Sequence, residues 1–324
     1  MEGRAPSSPF EYRNKVQFVC SNGECGLYER NSHNLISIEG CMLQKEPANK
    51  ILSAFMEIIG NGKFEYQAMR HIGIRVSSSG DASVTLVMSK RKAKGLKDAA
   101  EELMRKITEV KGVSLNINSK NTNVILGDVT IPICGEPFVT EEIMGRKFRI
   151  NPESFFQVNR DGAEEMVRTV MGFLPEKSDS VFLDAYCGSG FFSMFASGIF
   201  RKTIGIGEYE KSIDDAKAAA KLNGIENAEF ICGKAEQLIT SEALTDVEYA
   251  LVDPPRKGIE ESVINAFASS KIMTVIYVSC NPATLARDLG IFMSKGFEIK
   301  SVKGIDMFPQ TSHVETVCLL SRNK

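Results

Sequence analysis

The sequence predicts an α/β protein in two parts, an α+β module over residues 1–150 and, over 151–324, a mostly parallel sheet covered by helices. Three observations predict it. After residue 150 short, wholly apolar runs alternate with amphipathic stretches, the rhythm of βαβ units whose strands are buried on both faces. Before it, β-rich runs are separated by Gly, Asn and Ser clusters. The charge divides at the same place, +4 over residues 1–150 and −6 over 151–324, within a formal total of −2. A basic front beside an acidic back suits a module that holds a polyanion joined to one that performs chemistry.

At 324 residues, 43% hydrophobic and 25% charged, the chain can bury two ordinary cores. No apolar run reaches the ~18 residues of a membrane span, and "MEGRAPSSPFEYR" lacks the layout of a signal peptide. The protein is therefore expected inside the cell, in cytoplasm or nucleus, as a monomer with no membrane partner. Eight cysteines in such a chain are expected as free thiols. Cys20 and Cys25 have no clustered partners to complete a metal site, since only His33, His71 and His313 exist, and no metal is expected.

In the front part, "KVQFVC", "SVTLVM", "VSLNIN" and "NVILGDVTIPI" have strand character, and helices are expected at 47–59 and 95–110. Between them "SKRKAKGLK" (89–97) is the densest basic stretch. Lys90, Arg91, Lys92 and Lys94 are either a solvated loop before a helix or a contact to an RNA backbone. In the back part the order is "GAEEMVRTVMGFL" (helix), "SVFLDAY" (strand), "GFFSMFASGIF", "TIGIG", "SIDDAKAAAKLNG", "AEFICG", "YALVDPP", "ESVINAFAS", "TVIYVSC" and "ATLARDLGIFMSKG". Ligands of such sheets bind at the carboxyl ends of the strands. That rule places Asp184, Asp253 and Cys280 on one rim.

Each strand end carries its own signal. In "LDAYCGSGFF" Gly188 and Gly190 let the turn approach a ligand, while Asp184 before them would repel a pyrophosphate and suits a cationic sulfonium. In "LVDPPRKG" two prolines end the strand and pin the backbone after Asp253. "YVSCNP" puts Cys280 between a strand and a proline, which turns the thiol away from the core. Glu315 lies in the terminal strand-like run "FPQTSHVETVCLLSR", where a lone Glu is ordinarily solvent-facing. A nucleophilic thiol, a base and a sulfonium pocket are what 5-methylation of a pyrimidine requires: C5 of uracil attacks a methyl donor only after something adds to C6, and a thiolate suits that step. The C5 proton must then be removed before the thiol leaves.

Taken in order, "YRNKVQF", "FRINPESFFQVN", "LDAYCGSGFF", "VDPPRKG", "YVSCNPATLARDL" and "FPQTSHVETV" resemble the RNA (uracil-5-)-methyltransferase family, from about residue 11 to the end. The resemblance implies a Rossmann-like class I methyltransferase domain, Cys280 as nucleophile and Glu315 as the base. It further implies S-adenosyl-L-methionine contacts from Gln157, Tyr186, the loop glycines and Asp253, and places Phe155 near the target base. "RINPESFFQVN" and "FPQTSHVET" are closest to eukaryotic tRNA enzymes, which makes the T-loop uridine of tRNA the expected substrate.

Three features depart from the pattern. The acid that would hold the cofactor's ribose falls at Gly207, with Glu208 one place later as its replacement or with the ribose unpaired. A small N-terminal RNA-binding barrel and the cysteine cluster of iron–sulfur relatives are not expected. The alternatives are an rRNA uridine-5 methyltransferase or a tRNA-folding chaperone with little catalysis. A cytosine-5 enzyme would want Cys where "DPPR" has Pro, and a hydride-transferring oxidoreductase would leave Cys280 and Glu315 without a role.

Overall fold

The computed structural model describes residues 2–4, 8–120, 122–240 and 242–322. The chain divides into two compact units, one of Ser8–Glu142 with Arg149–Glu153, the other of Met1–Ser7, Ile143–Phe148 and Ser154–Lys324. Where the sequence suggests one cut at 150, the division runs through a two-stranded ladder, Val139–Ile143 with Arg146–Ile150. The strand Glu2–Arg4 belongs to the second unit, pairing in parallel with Glu298–Ile305.

In the first unit a seven-stranded sheet runs in the order Leu35–Ser37, Glu24–Tyr28, Lys15–Ser21, Met69–Val76, Ala82–Met88, Val110–Ile117, Val129–Gly135. All its pairs are antiparallel except Ala82–Met88 with Val110–Ile117, which the helix Leu96–Lys106 joins as a crossover. Helix Glu46–Gly60 has Pro47 in its first turn and sends Ile51, Leu52, Phe55 and Ile58 into a core with Phe18, Ile72, Leu86 and Leu103.

Two expectations for this unit are corrected. "NVILGDVTIPI" is a strand only from Val129. The preceding stretch is a loop held by side-chain amides: Asn116 bonds the N–H and carbonyl of Gly127, and Asn118 donates to the carbonyls of Val124 and Ile125. Cys20 and Cys25, expected as free thiols, form a disulfide. Asn22 and Gly23 both take positive φ, 53° and 83°, the two-residue hairpin turn that Asn-Gly favours, and this pairs Cys20 with Cys25 across the strands. The other six cysteines are free.

The second unit is an eight-stranded sheet in the order Glu2–Arg4, Glu298–Ile305, Glu315–Ser321, Thr274–Ser279, Val247–Val252, Ser178–Asp184, Phe200–Gly207, Ala228–Cys232. Every pair is parallel except those made by Glu315–Ser321, which is antiparallel to both neighbours. Its central strands are buried on both faces, as their apolar runs require; Tyr277, Phe267, Phe292 and Phe297 fill one of the layers. The chain is thus mixed α/β with a Rossmann-like sheet. No helix among the described residues is long and apolar enough to cross a membrane, and the described residues hold no group of three or more His, Cys, Asp or Glu suited to a metal ion.

Candidate active site

Asp184 is the last residue of its strand, Asp253 follows Val247–Val252, and Cys280 follows Thr274–Ser279. The three strands are neighbours and parallel, so their carboxyl ends share one rim. The reversed direction of Glu315–Ser321 completes the set. Its register pairs Thr316 with Ser279, which puts Glu315, its first residue, across from Cys280. A fourth parallel strand would have ended its carboxyl side there and sent its first residue to the opposite rim.

Local hydrogen bonds explain why the strand stops at Cys280. Asn281 caps the helix Pro282–Ser294 by accepting from the N–H of Ala283 at 3.1 Å, and its own N–H donates to Ser279 Oγ at 3.1 Å. Pro282 therefore opens a helix as well as closing a strand. Cys280 is left half-buried between the two elements, two residues ahead of the first helical position. Burial, then the negative charge of Glu315, push its thiol above the usual 9.0; the charge of Arg256 and a hydrogen bond from it act the other way.

The carboxyls of the rim are shifted upward together. Glu315, only 8% exposed, is raised to about 7 by burial, with Arg256 opposing. The expectation of a solvent-facing Glu fails because this strand lies inside the sheet, with neighbours on both sides. Asp184 is fully buried and is raised to about 7; Ser193 Oγ donates to its Oδ2 at 2.7 Å, while Oδ1 has no hydrogen-bond partner. Asp253 keeps some accessible surface yet is densely surrounded by protein, and that desolvation, with Glu315 and Asp184 nearby, holds its carboxyl well above the ordinary range. A cluster of reluctantly ionised acids gains from a cation placed among them.

The remaining cofactor candidates differ in their roles in the fold; Tyr186, Gly188 and Gly190 lie in the loop that follows Ser178–Asp184. Gly188 has φ +52°, and a Cβ built there meets nothing within 4 Å, so the loop backbone is open to a ligand. At Gly190, φ +76°, a Cβ would come within 3.0 Å of Ala216, so this glycine serves close packing of the turn. Tyr186 is half-buried and its OH donates to Glu236 Oε1 at 3.1 Å; burial and Glu236 push the phenol further up. Gln157 is half-buried and Phe155 is 68% exposed. They flank Phe156, which is sunk among Phe148 and Phe191 with ring centroids at 5.2 and 5.6 Å. Ser154, bonded to the buried Asp215, fixes the start of this segment.

Gly207 ends its strand with a Cβ position 3.1 Å from Ile213 and 3.4 Å from Cys187 Sγ, room for a side chain only if those neighbours give way. Glu208 is exposed and lies 3.8 Å from Lys234 Nζ. Lys90, Arg91, Lys92 and Lys94 lie in the first unit and are all exposed; Lys90 pairs with Glu65 at 2.5 Å, and Glu65 also accepts from the backbone N–H of Lys94. A groove of about 520 Å³ lined by Lys217, Lys221 and Ile225 is at the amino end of Ala228–Cys232, away from the chemistry.

Three residues go unnoticed in the sequence. Arg256 stands in "DPPRKG", where a turn explains every residue, and its significance comes from being a cation beside Cys280 and Glu315. Ser193, legible only as a small residue after the loop, holds Asp184. Glu236, with no sequence signal, holds Tyr186.

The site gathers a thiol opposed by a carboxyl, a glycine-lined loop and an acid cluster suited to a cation, which is the equipment of an adduct-forming methyltransferase. Comparison with known proteins gives the family. A sequence model described as tRNA (Uracil-5-)-methyltransferase matches residues 7–323. An uncharacterized RNA methyltransferase of Clostridium acetobutylicum is 38% identical over 328 residues, covering 97% of this chain and 71% of that protein. One from Gloeobacter violaceus is 35% identical, covering 98% and 72%. Among solved structures, the tRNA (uracil-54, C5)-methyltransferase of Pyrococcus abyssi, in complex with S-adenosyl-L-homocysteine, superposes with a TM-score of 0.82 over 98% of this chain and 78% of that one, at 22% identity, a likeness of fold. With a match to the family over nearly its whole length and relatives above 30% identity, this chain belongs to the tRNA (uracil-5-)-methyltransferase family.

Proposed function

We propose that the protein methylates C5 of a uridine in RNA, with the T-loop uridine of tRNA as substrate. The carrying observation is the register that sets Glu315 across from Cys280. The Cys280 thiolate adds to C6; the S–C6 bond forms, and the C5–C6 electron pair moves out to give a nucleophilic enolate at C5. S-adenosyl-L-methionine, when bound, supplies an electrophilic methyl group for that carbon. Gly188, Gly190 and Tyr186 in the loop, with Gln157, Asp184, Asp253 and Glu208, are the residues that would hold it. The open backbone at Gly188 and the partnerless Oδ1 of Asp184 support that fit. Glu315 then takes the C5 proton, C5=C6 re-forms, and the thiolate leaves. A carboxyl raised to about 7 is matched to that task, neither too weak a base nor fully protonated at neutral pH. Phe155, exposed on a fixed segment, is available to stack on the target base.

A tRNA transcript carrying 5-fluorouracil tests both chemistry and substrate. Fluorine cannot be removed as a proton, so the Cys280–C6 adduct is expected to persist as a slow band on a denaturing gel and to vanish in Cys280→Ser. A serine variant that still traps RNA would place the nucleophile elsewhere. Trapping of an rRNA fragment but not of tRNA would replace the substrate.

A further inference from the structure

Of the seven tyrosines in the chain, six are engaged by the fold. Tyr12, Tyr186 and Tyr277 use their hydroxyls in hydrogen bonds, Tyr28 and Tyr249 lie against other rings, and Tyr66 packs on the core of the first unit. Tyr209 is 73% exposed, and among the described residues its side chain makes no hydrogen bond, ion pair or ring contact. Single exposed rings are common on protein surfaces, so the weight falls on where this one stands. It follows Gly207 by two residues, at the carboxyl end of Phe200–Gly207, the side of the sheet on which ligands bind. A Cβ built at Gly207 lies 3.7 Å from the N of Gly188, so this strand end meets the loop whose backbone is open to a ligand.

The segment is held from both sides. The carbonyl of Gly207 accepts from the N–H of Gly233 at 2.9 Å, and Cys232 Sγ donates to the carbonyl of Glu208 at 3.7 Å. The carbonyl of Tyr209 accepts from the N–H groups of Ser212 and Ile213 at 3.0 and 3.1 Å, which opens helix Glu210–Leu222. The Tyr209 side chain supplies no cap to that helix. A large ring without a structural duty therefore stands on a fixed base, beside a strand end that has no side chain to offer.

We propose that Tyr209 is a cofactor-binding residue: its ring stacks on the adenine of S-adenosyl-L-methionine and supplies the hold on the adenosine that a carboxylate at Gly207 would have taken through the ribose. This role rests on the cofactor placement proposed above and is independent of which RNA is methylated. Adenine is one bond away from the ribose, so a ribose at the end of Phe200–Gly207 brings the base within reach of the residues that come next. A purine offers a broad π-face, and an aromatic side chain is the group best suited to cover it. The pinned backbone on both sides of Tyr209 means that little further order is lost when the ring is covered.

The chain contains no tryptophan, so Tyr209→Trp introduces a single indole at the position to be read. In the full-length variant the emission of that indole is expected to be quenched on titration with S-adenosylhomocysteine, with the dissociation constant that calorimetry gives for the same variant. By calorimetry Tyr209→Ala should bind S-adenosylhomocysteine roughly tenfold more weakly than the parent, and Tyr209→Phe about as tightly, because the ring and not the hydroxyl makes the contact. An indole whose emission stays constant at saturating S-adenosylhomocysteine overturns the assignment, as does a parental constant in Tyr209→Ala. Quenching by a tRNA transcript alone, with no response to S-adenosylhomocysteine, overturns it in favour of a contact to RNA. The two readings fail separately: if Asp253→Ala also binds as the parent does, the cofactor placement is wrong and Tyr209 falls with it, whereas a weakened Asp253→Ala beside an unaltered Tyr209→Ala strikes Tyr209 alone.

Discussion

Glu315 shows how one residue's surroundings set its chemistry. Burial holds its proton up to about pH 7, so the carboxylate is the dominant form only above that point. The base-dependent step should therefore speed up as pH rises through about 7. For stability the sign is the opposite: a carboxyl whose folded value is raised stabilises the fold below its unfolded value near 4.5, and that contribution is lost as pH climbs through about 7. Glu315→Gln, permanently neutral, should then be more stable than the parent at alkaline pH, by up to about 3 kcal/mol of unfolding free energy in denaturant titrations, and similar to it in acid. The same variant should lose roughly 10²- to 10⁴-fold in turnover and accumulate the Cys280 adduct on ordinary uracil. Parental turnover in Glu315→Gln, checked by methyl incorporation, would remove Glu315 from the mechanism.

At the scale of the element, the parallel strands were legible because both their faces are buried and their runs are wholly apolar, as in Phe182-Leu183 and Val275–Val278. Three strand ends therefore located Asp184, Asp253 and Cys280. The fourth was not legible, because the direction of Glu315–Ser321 is set by its two partners and not by its own residues. The Asn22-Gly23 turn is the local signal for the Cys20–Cys25 pair, which an argument from chain length and compartment does not reach. The end of Phe200–Gly207 is where sequence and geometry leave the sharpest choice. Glu208 is the acid at that rim, exposed and close to Lys234, so its bonds to a ribose would be partly screened by water. Glu208→Ala is expected to weaken S-adenosylhomocysteine by about tenfold, the lower range for charge-assisted hydrogen bonds, with RNA affinity unchanged. Calorimetry decides it; an unaltered dissociation constant strikes Glu208 from the site.

For the whole molecule, charge is partitioned along the chain, +4 in residues 1–150 against −6 beyond. A polyanion approaching the acidic part alone would be repelled, which makes cations before residue 150 the expected source of RNA affinity. The stretch around residues 90–94 is the densest source, but its members are not equivalent. Lys90 is already matched with Glu65 at 2.5 Å, and using it for a phosphate means giving up that pair. Arg91 and Lys92 are exposed, and Lys94 engages Glu65 through its backbone while its side chain is exposed. Binding of a tRNA transcript should fall steeply with salt, each phosphate contact contributing roughly 0.7 to 0.9 to the logarithmic slope. Replacing Arg91, Lys92 and Lys94 together by Gln should lower that slope by about two, while Lys90→Gln alone should change it by less than about one half. Fluorescence anisotropy over a salt series measures the slopes directly. A triple variant with the parental slope would mean that this basic stretch is a solvated loop and that the phosphate contacts lie elsewhere on the chain.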